Sequence, residues 1–332
     1  NSDPKHLPTA IFVEEQTPIV RSILQGLENS GYYEIILQTS DPEEGQRLLA
    51  SGKVAFVVTI PPGFTERLVR GDRPQILIEA DASDPSASSN AISRARAIIA
   101  GALKRELTGT LSYLAPTREA YDLVVQAKYN PEGITYYNIV PGLLGIILTM
   151  TLVMITSIAM TRESEKGTME NLLAMPARPL EVMIGKISPY VMVGAVQTCV
   201  VLIAAKVLFR VPFEGEMWLL LVGVAVFVIA NLALGFTFST VAKTQMQAMQ
   251  LTFFFFLPSM LLSGFMFPFR GMPEWAQNIG SVLPLTHFLR VVRGVMLKGS
   301  EFADVRDPII AMGIFAIAVS ILAMLRYRKT LD

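Results

Sequence analysis

The sequence predicts an α-helical membrane protein that carries an N-terminal α/β domain. Of the 332 residues, 52% are hydrophobic and only 17% are charged, which is more apolar than a soluble chain of this length requires. The two parts also differ in charge, because residues 1–137 carry 13 Lys and Arg against 17 Asp and Glu, whereas residues 138–332 carry 15 against 11. The net charge of zero therefore hides a slightly acidic, soluble part and a slightly basic, membranous part.

Residues 1–137 alternate between strand-like and helix-like segments, which is typical of a small α/β domain. Asp41 is predicted to cap the second helix, and the apolar run 54–60 is predicted to be a central strand. This part contains no Gly-rich phosphate loop, nucleophile elbow or metal-ligand spacing, so we expect no catalytic site in it. Strands are predicted at 9–13, 34–37, 54–60 and 76–78, and helices at 18–29, after 41, at 61–70 and at 86–114.

Five apolar runs in residues 138–332 are long enough, or nearly so, to cross the ~30 Å hydrocarbon core as helices. The fourth is short and contains Pro258 and Gly264, so we expect a kink or partial re-entry there. Between the fourth and fifth runs, residues 270–306 hold two amphipathic segments, which we expect to lie along the membrane interface or to cap the bundle. The five runs are about 138–160, 188–209, 217–241, 251–269 and 307–325.

The loops between these runs divide into two sides by parity. The side formed by 161–187, 242–250 and 326–332 carries eight Lys and Arg in about 43 residues, against six in about 44 on the other side without residues 1–137. This bias predicts that the first side is cytoplasmic and that residues 1–137 are extracytoplasmic. A domain of this size needs a signal to cross the membrane and none is present, so we expect a further helix before Asn1 and six spans in the intact protein.

The charged segment 161–187 is the candidate functional site. Thr168 suits an N-cap and Glu170 the first helical turn, while Leu172 and Leu173 share one face with Met169. Pro176 then ends a helix of about two turns. These residues leave two interpretations open, since the helix could dock another protein or could belong to an ordinary loop with solvated charges.

The pattern Arg162-Glu163, Glu165-x-Gly167-Thr168-x-Glu170-x-Leu172, followed by Pro176 and Gly185-Lys186, resembles the cytoplasmic signature of ABC-2 type permeases. These proteins are the membrane subunits of ABC exporters. Pro141-Gly142 looks like the point where family members enter the membrane, and Pro258 with Leu262-Ser263-Gly264 resembles their fifth helix. The resemblance covers essentially the whole chain and is closest to the bacterial multidrug or drug-efflux-like branch with a large extracytoplasmic domain.

This resemblance implies a transmembrane domain like that of type V exporters, in the bacterial inner membrane. It implies a dimer with a second permease copy or a paralogue, an ABC ATPase subunit on the cytoplasmic face, and room for a periplasmic adaptor protein. The segment 168–175 would be the coupling helix, seated in a cleft of the ATPase. The residues expected to couple to the ATPase are Arg162, Glu163, Glu165, Gly167, Thr168, Glu170, Leu172, Leu173, Pro176 and Lys186.

The chain itself lacks a phosphate-binding loop, because Ile187 follows Gly185-Lys186 and Leu180 stands where the first glycine belongs. ATP and Mg would therefore be bound by the partner ATPase, and we expect no cofactor in this chain. The single cysteine and the two distant histidines do not form a zinc-ligand pattern, so we expect no metal site in this chain. No Lys and Arg cluster is dense enough to hold a nucleic acid.

The expected function is export of a hydrophobic or amphipathic substrate, drug-like or lipid-like, by alternating access. We expect no buried carboxylate in the apolar runs, which disfavours a proton-coupled antiporter. The alternative is a membrane-anchored receptor or assembly scaffold whose outer domain binds a ligand or a partner protein. A membrane-bound hydrolase is disfavoured because no nucleophile and base can be paired. The sequence leaves the substrate open.

Overall fold

The computed structural model describes residues 4–106, 120–166 and 179–326, without the side chains of 85–87, 164, 179–184 and 186–187. The chain forms two compact units. The first unit comprises Asn1–Thr135 together with Arg270–Met272, and the second comprises Tyr136–Phe269 and Pro273–Asp332.

The first unit is a five-stranded mixed sheet with helices. The strands are β1 Leu7–Val13, β2 Tyr33–Thr39, β3 Phe56–Ile60, β4 Gln75–Asp81 and β5 Asp122–Lys128, in the order β2-β1-β3-β4-β5. The β3–β4 pair is antiparallel and the other three pairs are parallel. The helices of this unit within the described residues are α1 Pro18–Asn29, α2 Pro42–Ala50, α3 Phe64–Arg70 and α4 Pro85–Glu106.

The local signals read from the sequence explain most of these elements. Asp41 caps α2 by accepting a 3.0 Å hydrogen bond from the backbone N–H of Glu43, which confirms its predicted role. Strand β3 lies between β1 and β4 and is almost entirely buried, which confirms its central position. Strand β5 is absent from the sequence prediction, and the predicted end of the last helix at 114 lies outside the described residues.

The second unit is helical. Its elements are α5 Thr135–Glu165, α6 Pro179–Val207, α7 Met217–Val241, α8 Gln245–Leu262, α9 Glu274–Gly280, α10 Pro284–Arg293, a π-helical turn Gly294–Lys298, and α11 Phe302–Arg326. Within the described residues, four helical segments are long and apolar enough to cross a membrane. These segments are Thr135–Glu163, Ser188–Val207, Met217–Val241 and Phe302–Arg326.

The apolar run predicted at 251–269 forms α8, but the predicted bounds are wrong. The helix begins at Gln245, where the Thr244 hydroxyl accepts a 3.3 Å hydrogen bond from the backbone N–H of Gln247. It ends at Leu262, two residues before Gly264, which has a left-handed φ of +89°. Pro258 lies inside this helix on an exposed face.

Helix α10 packs its apolar face into the helical unit. Its residues Leu285, Phe288 and Val291 are fully buried. The Phe288 ring stacks on that of Phe227, near the middle of α7, with the centroids 4.0 Å apart. The polar face contains Arg290, which is exposed. The amphipathic pattern predicted for this segment is therefore confirmed, with its apolar face packed against α7.

Close helix contacts in this unit occur at glycines, which is common where membrane helices pack. A Cβ added at Gly142 would lie 2.6 Å from the Phe265 ring, and one at Gly223 would lie 2.7 Å from Val291. Gly142 follows Pro141, which lies within α5. Helix α7 packs against α6, α8, α10 and α11, and it forms the most buried of the four membrane-crossing segments.

Candidate coupling site

The described residues define the borders of the predicted coupling segment. Arg162, Glu163 and Glu165 lie in the last turns of α5, and Lys186 lies in α6, where its backbone alone is described. The other six predicted residues lie outside the described part of the chain. They are Gly167, Thr168, Glu170, Leu172, Leu173 and Pro176.

The last turn of α5 is held to the start of α8 through Glu165. One oxygen of its carboxylate, Oε2, accepts a 3.2 Å hydrogen bond from the backbone N–H of Gln245 and a 2.9 Å bond from its side-chain amide. These bonds, the side-chain bond above all, lower the pKa of Glu165. Glu165 is therefore an anion at neutral pH, and it lies at the N-terminus of α8, where the helix dipole favours negative charge.

The first turn of α8 is closed by further side chains. The Gln247 side-chain oxygen accepts a 2.8 Å hydrogen bond from the backbone N–H of Lys243, while the Thr244 hydroxyl accepts from the N–H of Gln247. This exchange is a variant of the capping box. Together with Glu165, it satisfies N–H groups that the start of a helix leaves without partners. The end of α5 and the start of α8 are thereby joined in one hydrogen-bonded structure.

The remaining residues at the end of α5 differ in exposure. Arg162 is exposed and Glu163 is partly buried, whereas Thr161 is fully buried and donates a 2.8 Å hydrogen bond to the Ser157 carbonyl. A cation in the last turn of a helix, such as Arg162, is favoured by the helix dipole. The structure thus brings Glu165 together with α8, and it places Arg162 and Glu163 in the same terminal turns.

Sequence reasoning missed Thr244, Gln245 and Gln247. The signal for two of them was present, since Thr244-x-x-Gln247 is a capping-box pattern just before the apolar run of α8. It was passed over because the polar residues 245–250 were counted as loop. The contact between Gln245 and Glu165, 80 residues earlier in the chain, has no local signal in the sequence.

The residues predicted to shape the membrane segment occupy distinct places. Pro141 and Gly142 lie in α5, where both are buried, and Pro258 lies in α8. Gly264 follows α8, and its carbonyl accepts a 3.1 Å hydrogen bond from the Arg293 guanidinium. Within the described residues, no group of three or more His, Cys, Asp or Glu side chains could hold a metal ion. The feature that connects two helices at this site is the pair of hydrogen bonds between Glu165 of α5 and Gln245 of α8.

These features define a multi-pass helical membrane subunit with a charged segment of sequence between α5 and α6. The chain belongs to the ABC-2 family of transporter proteins, whose family model matches residues 1–325. The resemblance read from the sequence is thereby confirmed. Permeases of this family work with ABC ATPase partners, generally as dimers.

Curated relatives carry transport names. The chain is 28% identical over 331 residues to the inner membrane transport permease YhhJ of Escherichia coli (strain K12), which covers 98% of this chain and 86% of that protein. It is 26% identical over 292 residues to the probable multidrug ABC transporter permease YbhR of the same organism, covering 88% and 78%. A shorter match, 28% over 170 residues, covers 51% of this chain and 23% of ABC transporter G family member 20 of Dictyostelium discoideum.

Proposed function

We propose that this chain is the permease subunit of an ABC exporter in a bacterial inner membrane. It would move a hydrophobic or amphipathic substrate, drug-like or lipid-like, out of the cytoplasm with energy from ATP hydrolysed by a separate subunit. The observation that carries the proposal is the hydrogen-bonded connection between Glu165 and Gln245, which borders the segment that resembles the family's cytoplasmic signature. The family membership and the transport names of the relatives support the same function.

The proposed mechanism is alternating access driven from the segment 161–187. Closure of the ATPase subunits would displace the coupling helix 168–175. Glu165 precedes Gly167 by two residues and is bonded to the first residue of α8, so a displacement of this loop would move the ends of α5 and α8 together. Both helices would then tilt as a pair, which is the kind of rigid motion that changes access to a membrane cavity.

The proposed assembly contains a second copy of this chain or a paralogue, and two ATPase subunits that bind ATP and Mg. Residues 1–137 would be extracytoplasmic and could receive a periplasmic adaptor protein. This orientation follows from placing the 161–187 segment, with Glu165, on the side of the ATPase. The α/β fold of the first unit supplies a soluble domain for that exterior position.

The cargo class rests on apolar surface and on the names of relatives. Phe253, Phe254 and Leu257 of α8 expose 41%, 76% and 48% of their surface. An apolar path suits apolar cargo, although lipid contact explains the same exposure equally well. Two relatives, YbhR and YbhS, are named as probable multidrug permeases, and this supports a drug-like or amphipathic substrate.

Transport in inside-out membrane vesicles tests this function. The chain is co-expressed with candidate ABC ATPases, and inside-out vesicles are prepared from these cells. A fluorescent amphipathic dye is added to the external medium. An exporter moves the dye into the vesicle lumen when ATP and Mg are supplied, and an ATPase variant without hydrolysis does not. If no candidate ATPase binds the chain, and residues 1–137 bind a ligand or a partner protein, the result would instead support the membrane-anchored receptor or scaffold.

A further inference from the structure

Buried hydroxyl groups in the long helices of the second unit fall into two sets. In the first set, the hydroxyl donates to the carbonyl four residues earlier, which is the usual arrangement in an apolar helix. The Thr161, Thr198 and Thr252 hydroxyls donate in this way over 2.8, 2.8 and 2.9 Å. Bonds of this kind satisfy the hydroxyl without help from water or from another helix.

The second set lacks such bonds. Thr149, Thr156 and Ser157 of α5 are at most 1% exposed, and their hydroxyl oxygens have no hydrogen-bond partner in the described part of the chain. Asn231 of α7 is fully buried as well. Its side-chain amide donates a 2.8 Å bond to the Phe227 carbonyl, but its Oδ1 has no partner among the described residues.

Among these four side chains, Thr156 lies directly at the contact between α5 and α7. A Cβ added at Gly235 would lie 2.7 Å from the Val153 carbonyl oxygen and 2.9 Å from the Thr156 Cβ. Gly235 follows Asn231 by one helical turn, and Thr149, Val153 and Thr156 share one face of α5 by their spacing. We call Thr149, Thr156, Ser157 and Asn231 the α5–α7 seam.

Gly194 of α6 lies against both helices. A Cβ added there would lie 3.4 Å from Leu152 of α5 and 3.1 Å from Val228 of α7. Asn231 lies along α7 between Val228 and Gly235, the two positions at which these contacts occur.

The seam is closed to water in this arrangement, because its partnerless atoms have almost no surface that a water molecule can reach. A buried polar atom without a partner destabilises the structure that contains it. Several such atoms along one helix contact favour a second arrangement in which each finds a partner. Water suits the seam chemically, since three hydroxyls both donate and accept, Oδ1 accepts, and no group is charged.

We propose that the α5–α7 seam is a water-binding site that opens when α5 shifts against α7. Water enters between the helices and bonds to Thr149, Thr156, Ser157 and Asn231, and it leaves when the contact at Gly235 closes. The proposal requires α5 and α7 to lie in a membrane. It requires neither an ATPase nor a particular cargo, so it stands or falls separately from the proposed function.

Cysteine reactivity in membrane vesicles tests the seam. The chain has one cysteine, so Cys199→Ala provides a background without thiols. Thr149→Cys is compared with Thr198→Cys. Thr198 is a matched control, because it is 2% exposed and its hydroxyl is already hydrogen-bonded. It also follows Gln197, whose side chain lies 2.9 Å from the Thr151 hydroxyl of α5. Only a hydrated thiol forms the reactive thiolate, so the rate of labelling by a water-soluble thiol reagent reports water.

We expect Thr149→Cys to react at least about tenfold faster than Thr198→Cys. Equal rates would overturn the proposal. Thermal unfolding of the purified chain gives a second measurement that does not depend on the cysteine variants. Thr156→Val removes a hydroxyl that has no partner in the closed seam, so Tm should stay the same or rise, whereas Thr198→Val should lower it. An equal fall in Tm for both variants would contradict a closed seam of partnerless groups.

Discussion

The Glu165 carboxylate accepts hydrogen bonds from both the backbone and the side-chain amide of Gln245. This pair connects the end of the first membrane-crossing helix of the chain to the first turn of α8, although 80 positions separate the two residues. The bonds lie in an exposed position beside the predicted coupling segment. In the proposed mechanism, a displacement of the coupling segment would therefore act on both helices at once.

Loss of the Glu165 side chain should free the first turn of α8. Glu165→Ala removes the acceptor for the Gln245 N–H, so amide hydrogen exchange in residues 243–248 should accelerate, as it does at fraying helix ends. Lys166→Ala is the control, because it changes the neighbouring residue and keeps both hydrogen bonds. Equal exchange in the two variants would show that Glu165 does not hold α8.

Acidification should have the same local effect as the substitution. The bonds from Gln245 lower the pKa of Glu165 below its ordinary value of 4.5, so their contribution is complete above pH 4.5 and is lost as pH falls through the lowered pKa. Exchange in residues 243–248 should therefore rise below pH 4.5 relative to Glu165→Gln at the same pH. A constant ratio between the two proteins from pH 6 to pH 3 would contradict this linkage.

A side chain at Gly235 should destabilise the contact between α5 and α7. Gly235→Ala places a Cβ 2.7 Å from the Val153 carbonyl oxygen, and overpacking of this kind costs about 1–3 kcal/mol. Gly313→Ala in α11 is the control, because nothing lies within 4 Å of the added Cβ and alanine favours the helix. Thermal unfolding in detergent should show a lower Tm for the first variant alone, and similar Tm values would argue against the close contact.

The α/β unit contains a buried ion pair whose loss should weaken two strands. Glu79 of β4 is 4% exposed, accepts a hydrogen bond from Gln46, and pairs with Lys128 of β5 at 3.1 Å. Lys128→Met leaves the Glu79 carboxylate without its cation, and we expect the free energy of unfolding to fall by about 1–3 kcal/mol. This value is below the cost for a fully buried pair because the Lys128 side chain is 31% exposed.

Hydrogen exchange in β4 and β5 of the full chain measures this loss. Arg70→Met is the matched control, because it removes the cation of the Glu66–Arg70 pair on α3, where both side chains are 65% exposed. Such exposed pairs contribute about 0–1 kcal/mol. Faster exchange confined to Lys128→Met is the expected result, and unchanged exchange in both variants would show that the buried pair is dispensable.

The sequence predicted the α/β unit well where local signals were strong. Helix α1 has the predicted bounds 18–29, with Thr17 as its cap and Pro18 in its first turn. Strand β5 was missed, although it contains the apolar run Leu123-Val124-Val125. Its position at a sheet edge does not explain this, because β2 lies at the other edge and was predicted.

In the helical unit, hydropathy located apolar segments but not their packing. The polar start of α8 was assigned to a loop, since glutamines lower hydropathy without preventing a capped helix. The apolar residues after Leu262 were assigned to the same helix, although Gly264 is in the left-handed region. The amphipathic pattern of α10 did not predict the ring contact of Phe288 with Phe227, because that contact depends on residues distant in the chain.

The coupling assignment is most directly tested by ATP-driven transport with variants of the segment 168–175. The chain is co-expressed with its ATPase, and Glu170→Ala with Leu172→Ala is compared with Glu274→Ala, an exposed residue of α9. We predict that the double variant loses ATPase association and ATP-dependent dye transport, while the control retains both. Full association and full transport in the double variant would contradict the assignment of this segment as the site where the ATPase acts.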